Sequence, residues 1–419
     1  MKKTIDITQK SEYDVIVVGS GPSGIGAALS SGRQGVKTLI IESLGKLGGV
    51  ATSGMMSHFT GSVGSKLYKE VLTRAAKNNQ FDKSFTNVID PEFLTLTYIQ
   101  MLEEAHVDIL CYTTVTDAIL ENNKVTGVIC YNKGGFFAYR SKVVIDASGD
   151  GDVAYKAGVP YCKGRETDGA MQPATLMFKI AGVDMKRAVF PGAFEALVET
   201  EKGELQALGK KNLPYPAGHV LLYESTIPGV VTCNMTNAIG IDGTNAEDLT
   251  KAEISCRKQI PKILNFLREY APGYENCYLI GTASLIGIRE TRHFKGVECL
   301  NEKDILSATQ FDDYVVSDAK FEFDVHNITG AGLDETGCQK HFKQKSGYTI
   351  PYGCMIPEKV DGLLLSGRNI SGTHMAHSSF RSMPICMALG EAGGIAASIA
   401  VKHNTNVRDV SPKEIQKFL

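Results

Sequence analysis

Histidine, arginine and carboxylate side chains collect at three places in the sequence where they could move protons or hold an anion. The first is Ser371-Gly372-Thr373-His374-Met375-Ala376-His377-Ser378-Ser379-Phe380-Arg381. An imidazole gives or takes a proton near neutral pH, and a guanidinium offers a planar fork to a carboxylate or phosphate. His374, His377 and Arg381 are therefore catalytic candidates. Each histidine taken singly reads equally well as a structural loop residue. The second place is Arg289-Glu290-Thr291-Arg292-His293, after an apolar run. It is either an anion clamp led by Arg289 or a salt-bridged hinge in which Glu290 pairs one arginine. The third is the alternating run Phe321-Glu322-Phe323-Asp324-Val325-His326. His326 is a candidate, with a solvated strand face as the competing reading. A further imidazole, His58, stands in Met55-Met56-Ser57-His58-Phe59.

The elements that must position these groups begin near the N-terminus. Asp14 to Gly19 predicts a strand, Ile25 to Gln34 a helix of small residues, and Thr38 to Glu42 a second strand, a βαβ start. Between them lies Gly19-Ser20-Gly21-Pro22-Ser23-Gly24, a G-x-G-x-x-G turn. In such a turn the first glycine bends the chain, the second admits a pyrophosphate, and the third packs helix on strand. The helix N-terminus presents unpaired N–H groups to the phosphates. Glu42, with Ser43 beside it, ends the second strand where a carboxylate would take ribose hydroxyls. Helical periodicity recurs over 64–78 and 91–105, and strands are expected at 107–115, 116–120, 124–131, 136–139 and 143–146. A helix is expected near 246–270. A strand at 362–365 and a long small-residue helix, 383–401, close the chain.

The turn alone fits NAD or FAD. Three later segments resemble loops that FAD proteins carry after these strands, and their order and placement at strand ends favour FAD. They are the loop holding Gly48 and Gly49, the turn Ala147-Ser148-Gly149-Asp150-Gly151, and Gly367-Arg368 after the last strand. Each alone is an ordinary turn. No second G-x-G-x-x-G lies between a strand and a helix, so no separate NAD domain is expected. The contacts expected for FAD are Gly19, Gly21, Pro22, Ser23, Gly24, Glu42, Ser43, Gly48, Gly49, Val115, Ala147, Ser148, Gly149, Gly367, Arg368, Ser382 and Met383.

With these segments the chain resembles the FAD-dependent oxidoreductase family of glutathione-reductase-like flavoproteins, distantly similar to succinate dehydrogenase and fumarate reductase flavoproteins. Residues 14–54, 143–154, 285–292, 323–326 and 348–401 carry the resemblance. It implies FAD and an α/β fold: a discontinuous Rossmann-type FAD-binding domain, 1–160 and 346–419, with an inserted mixed α+β substrate domain, 161–345. It also implies that 371–381 faces the flavin, since relatives hold a substrate carboxylate there with a histidine and an arginine. Some relatives tether FAD to a histidine in the region of His58, although the local motif here differs. The expected reaction is hydride exchange between a small molecule and flavin N5. The alternatives are an RNA-modifying flavoenzyme and an electron-transfer subunit.

Composition narrows the choice. The chain has 419 residues with 44 Lys plus Arg against 46 Asp plus Glu, which gives no support to a nucleic-acid or anionic-membrane partner. There is no Trp, which argues against a flavin halogenase. Ten scattered cysteines with no Cys-x-x-Cys suit a reduced, cytoplasmic protein, with no dithiol relay, iron–sulfur cluster or metal expected. The polar start at 1–13 has no signal-peptide pattern. The apolar stretch 383–401 reads as a buried helix rather than a membrane span. Oligomeric state is not legible.

Overall fold

The structure is a computed structural model that describes residues 4–56, 58–333, 344 and 346–419. Ser57, named above, and Cys338, one of the ten cysteines, lie outside them. The Val/Ile run predicted at 14–19 forms the strand Tyr13–Val18, buried along its second half. Such continuous burial belongs to a central parallel strand covered on both faces. Its neighbours run parallel in the order Asp108–Leu110, Thr38–Ile41, Tyr13–Val18, Gly135–Asp146, Leu363–Leu365. The last strand comes from the far end of the chain, so both ends of the sequence build one sheet. The strands Thr114–Glu121 and Lys124–Asn132 add an antiparallel meander onto the first half of Gly135–Asp146.

Register fixes where a ligand can sit. Val18 pairs with Ile41 and Asp146, and Asp146 pairs with Leu365. The carboxyl ends of four strands are therefore level, and the loops after them share one edge, where open α/β sheets hold their ligands. Helix Pro22–Arg33 starts from this edge and lies against helix Met383–His403. The crossing is so close that a Cβ on Gly390 would run into the Ser23 carbonyl. The apolar helix Met383–His403 is long enough to cross a membrane, but 94% of its most apolar window is buried inside the fold.

A second body holds an antiparallel sheet in the order Leu222–Glu224, Val231–Cys233, Phe178–Ala181, Tyr278–Thr282. Helix Ala246–Tyr270 packs with it in a separate apolar core drawn from residues 174–283. Phe294, Leu300, Val315 and Phe323, which fall within 161–345, join the larger core instead.

Four local expectations change. The strand expected at 107–115 is broken at Tyr112, which takes a left-handed φ of 53°. Two strands expected at 136–139 and 143–146 are one, Gly135–Asp146, because a different partner takes each half. The segment 371–381 is not a loop but contains the helix His374–Phe380, capped by the Thr373 hydroxyl. The run 321–326 forms no strand; among the described residues its one β-bridge joins His326 to Leu333.

Candidate functional site

At the sheet edge the three turn glycines have different neighbours. Gly19 takes φ +93° and its Cβ would meet the Ala147 carbonyl, so it holds this turn against the next one. A Cβ on Gly24 would strike the Gly19 carbonyl. Gly21 alone faces open space, with nothing within 4 Å of a Cβ. Pro22 opens helix Pro22–Arg33, and no side chain caps that end. Ser382 precedes helix Met383–His403, likewise without a side-chain cap, and its buried hydroxyl has no hydrogen-bond partner. Bare N–H groups, an open glycine and an orphaned hydroxyl fit a phosphate-bearing cofactor. FAD would be held by the N–H groups of Gly21, Ser23 and Gly24, by Glu42 and by the uncapped start at Ser382 and Met383.

Glu42 is already heavily engaged. Its Oε2 accepts from Ser20 N at 2.9 Å and Ser20 Oγ at 2.6 Å. Its Oε1 accepts from Leu44 N at 2.9 Å and Ser43 Oγ at 3.1 Å. These bonds fill the usual lone-pair sites of a carboxylate. A ribose would therefore replace a hydroxyl contact, and Glu42 also braces the turn itself. Gly48 N donates to Ser20 O at 2.9 Å, and Gly49 abuts Gly21, which brings the Gly-Gly loop to the same place. Val115 pairs with Cys130 in the meander.

The turn after Gly135–Asp146 is tied inward. Ser148 N and Oγ donate to Asp146 Oδ1, and Ala154 N donates to Oδ2. Burial pushes the Asp146 carboxyl up to about 6 despite these bonds. Gly149 sits against the Arg368 guanidinium. Arg368 pairs with Asp150 at 2.6 Å, and Thr291 Oγ1 donates to the same carboxylate at 2.6 Å. Gly367 lies against Ser23, whose hydroxyl meets that of Ser366 at 2.6 Å. Arg368 thus joins the two Gly-rich turns to the motif 289–293.

That motif splits between two polar clusters. Arg289 Nη1 donates to the Pro173 carbonyl at 2.6 Å, and burial with the nearby Arg381 charge pushes it down to about 10. Arg381 donates to Asp324 O at 2.7 Å, Asp324 Oδ2 at 3.0 Å and Gln172 Oε1 at 3.3 Å. Its carboxylate partner is Asp324. His326 Nε2 stands 3.4 Å from Asp324 Oδ1. Phe194 sits edge-on to both His326 and His219. His326 is buried and the Asp324 side chain is 18% exposed, so the two do not form a solvated strand face. Burial alone would raise Asp324; His326, Arg381 and Arg289 outweigh it and hold the carboxyl below its ordinary range. His58 stacks on Tyr223 at 5.1 Å, beside this cluster.

Glu290 belongs to the second cluster and pairs with no arginine of its motif. Its Oε1 meets His374 Nδ1 at 2.6 Å and His293 Nε2 at 2.8 Å, while Gln172 N donates to Oε2. His377 stands edge-on to His293 at 4.6 Å. Of the residues expected to act together, Arg289, Arg381 and His326 share one cluster and His374 and His377 the other. Gln172 joins the two through its backbone and side chain. Sequence reading missed Gln172, His219 and Asp324 as site members and the role of His293; for His293 the Glu-x-x-His spacing was a usable signal.

Buried neutral imidazoles make stability depend on pH. Burial pushes His326 down to about 4 and His219 to about 3. Between pH 6.5 and about 4 the unfolded chain binds protons that the fold refuses, so stability falls as pH falls. The slope is about 1.4 kcal/mol per pH unit for each such histidine. Melting temperature should drop from pH 7 to pH 5, less steeply in His326→Gln. An equal slope in that variant would exclude His326 as a contributor.

The FAD dependent oxidoreductase family model matches residues 14–419. Digeranylgeranylglycerophospholipid reductase 1 of Methanococcoides burtonii is 29% identical, over 43% of this chain and 47% of its own length. Thiamine thiazole synthase of Methanococcus vannielii is 33% identical, over 33% of this chain and 56% of its own. The matches thus span about half the length of these relatives. A geranylgeranyl bacteriochlorophyll reductase-like protein of Thermoplasma acidophilum shares the fold, with a TM-score of 0.51 and 16% identity over 98% of this chain and 82% of that one. With a sheet edge shaped for a dinucleotide and a family match running from its first core strand to its last residue, the chain belongs to the FAD dependent oxidoreductase family.

Proposed function

We propose that this chain oxidises or reduces a small molecule that carries an anionic group. The charge count at the Arg289–Arg381 cluster carries this reading. Two guanidiniums share one carboxylate, Asp324, among imidazoles that burial keeps neutral. The residual positive charge in a largely desolvated setting complements one carboxylate or phosphate. Bound FAD would supply hydride transfer. Arg289 and Arg381 would fix the anionic end, with Asp324 and Gln172 aiming Arg381. His326, neutral at pH 7, is the first choice for the accompanying proton.

The two curated relatives are named for different reactions, and each matches less than half of this chain. The substrate reading therefore rests on the cluster. Its test is anaerobic bleaching of the bound flavin by a panel of hydroxy acids, phosphorylated sugars, neutral sugars, amines and nicotinamides. An anionic member should bleach the flavin, and the rate should fall in Arg289→Gln. Bleaching by uncharged members alone would overturn the reading.

A further inference from the structure

We infer that Glu290, His293 and His377 form a binding site for a divalent first-row transition ion. One oxygen and two ring nitrogens, one from each residue, all lie within 4.8 Å of one another. The side chains are shut away from solvent: His293 is 2% exposed and His377 1%. Two imidazoles and a carboxylate are the donor set that zinc and ferrous iron accept, whereas magnesium and calcium demand oxygen ligands throughout. The expectation of no metal rested on missing cysteine pairs, and this donor set needs no thiol.

Independent of the spacing, the cluster has unmet bonding capacity. Nδ1 of His377 and Nδ1 of His293 are both buried without a hydrogen-bond partner. Buried polar atoms in native folds are almost always satisfied, so the orphaned Nδ1 of His377 points to a missing partner; that of His293 lies across the ring from the Nε2 that meets Glu290. The surroundings supply the second layer that metal sites use. His374 Nδ1 holds Glu290 Oε1, and Gln172 N holds Oε2, so the carboxylate is oriented from outside the triad. The present contact of His293 Nε2 on Glu290 Oε1, 2.8 Å, is shorter than ligands around an ion of bond length about 2.0–2.1 Å would keep. Loading therefore requires the imidazole to draw back slightly.

The spacing has a local cause. Glu290 and His293 lie three residues apart at the start of strand Arg292–Phe294. His374 and His377 are three apart on helix His374–Phe380, which puts both on one face. The helix thus contributes one ligand and one orienting residue, the strand contributes His293, and the segment leading into the strand contributes Glu290.

The test measures metal uptake rather than turnover, so its outcome stands apart from the substrate reading. FAD-loaded protein is stripped with a chelator, titrated with Co2+ as a visible probe, and separately equilibrated with Zn2+ and analysed for metal after gel filtration. One equivalent per chain is expected, with ligand-field bands of a nitrogen- and oxygen-bound ion. His377→Gln should keep its melting transition and its flavin while losing roughly hundredfold or more in affinity. Glu290→Gln should lose a comparable amount. Cys162→Ser with Cys299→Ser controls for the exposed thiols and should leave uptake intact. Uptake well below one equivalent in the parent protein would overturn the site. So would unchanged uptake in a folded His377→Gln, or loss of uptake in the thiol control.

Discussion

Gly21→Val gives a folded protein without its yellow cofactor. The two halves of that result come from different observations. Gly21 has φ −62° and ψ 178°, a backbone that any residue adopts, and a Cβ there meets no atom within 4 Å. The polypeptide therefore accepts valine without strain, and the melting temperature should change little. What valine fills is the open space before the uncapped start of helix Pro22–Arg33, where a pyrophosphate must approach bare backbone. Moving the phosphates away by the width of two methyl groups breaks their short N–H contacts. These are charge-assisted bonds, each contributing roughly 1.5–3 kcal/mol. Losing two of them lowers FAD affinity by roughly a hundredfold or more. Gly24→Ala is the contrast, because its Cβ collides with the Gly19 carbonyl and the turn cannot close. It should misfold rather than merely bleach. Absorbance of bound flavin and thermal melts, taken together, separate the outcomes. Stoichiometric FAD in folded Gly21→Val would refute the phosphate position.

The cofactor half was readable because its signals are local. A Val/Ile strand, three glycines and a carboxylate at the next strand end lie within thirty or so residues, and each has its own backbone reason. The helix crossing was not local: Gly390 is small because the carbonyl of Ser23, from the other end of the chain, leaves no room. The polar clusters were harder, because their members come from five distant stretches. Glu290 has its nearest arginine next door in sequence, yet its bonds go to His293 and to His374, 84 residues away. Alternation over 321–326 signalled a strand, and the run forms none. It could not show that Asp324 and His326 turn toward Arg381. Arg368 was expected as an FAD contact from its turn alone; its ion-pair partner Asp150, in the other Gly-rich turn, was not legible.

Arg381→Lys should keep FAD, keep most of its stability and lose turnover by about a hundredfold, the cost of about 2–3 kcal/mol in the transition state. Lysine keeps the charge beside Asp324, so the buried carboxylate stays compensated. It loses the planar guanidinium, whose Nη2 alone holds the Asp324 backbone, the Asp324 carboxylate and Gln172, and whose buried Nε has no partner and is left to donate to an anion. Arg381→Ala behaves differently. It leaves Asp324 buried without its main cation, a loss of about 3–5 kcal/mol where a buried pair is broken. The melting temperature should fall, and a remaining activity defect would mix folding with function. A second change, Asp324→Asn, removes the orphaned charge and should restore much of the stability of Arg381→Ala without restoring turnover. A purely structural arginine predicts the opposite pattern, with turnover returning together with stability. The readout is the rate of flavin bleaching by whichever panel compound reduces the parent protein, measured beside melts of all three variants. A near-normal bleaching rate in Arg381→Lys, or recovery of that rate in the double variant, would remove Arg381 from substrate contact. Arg289 would then be left to hold the anion alone.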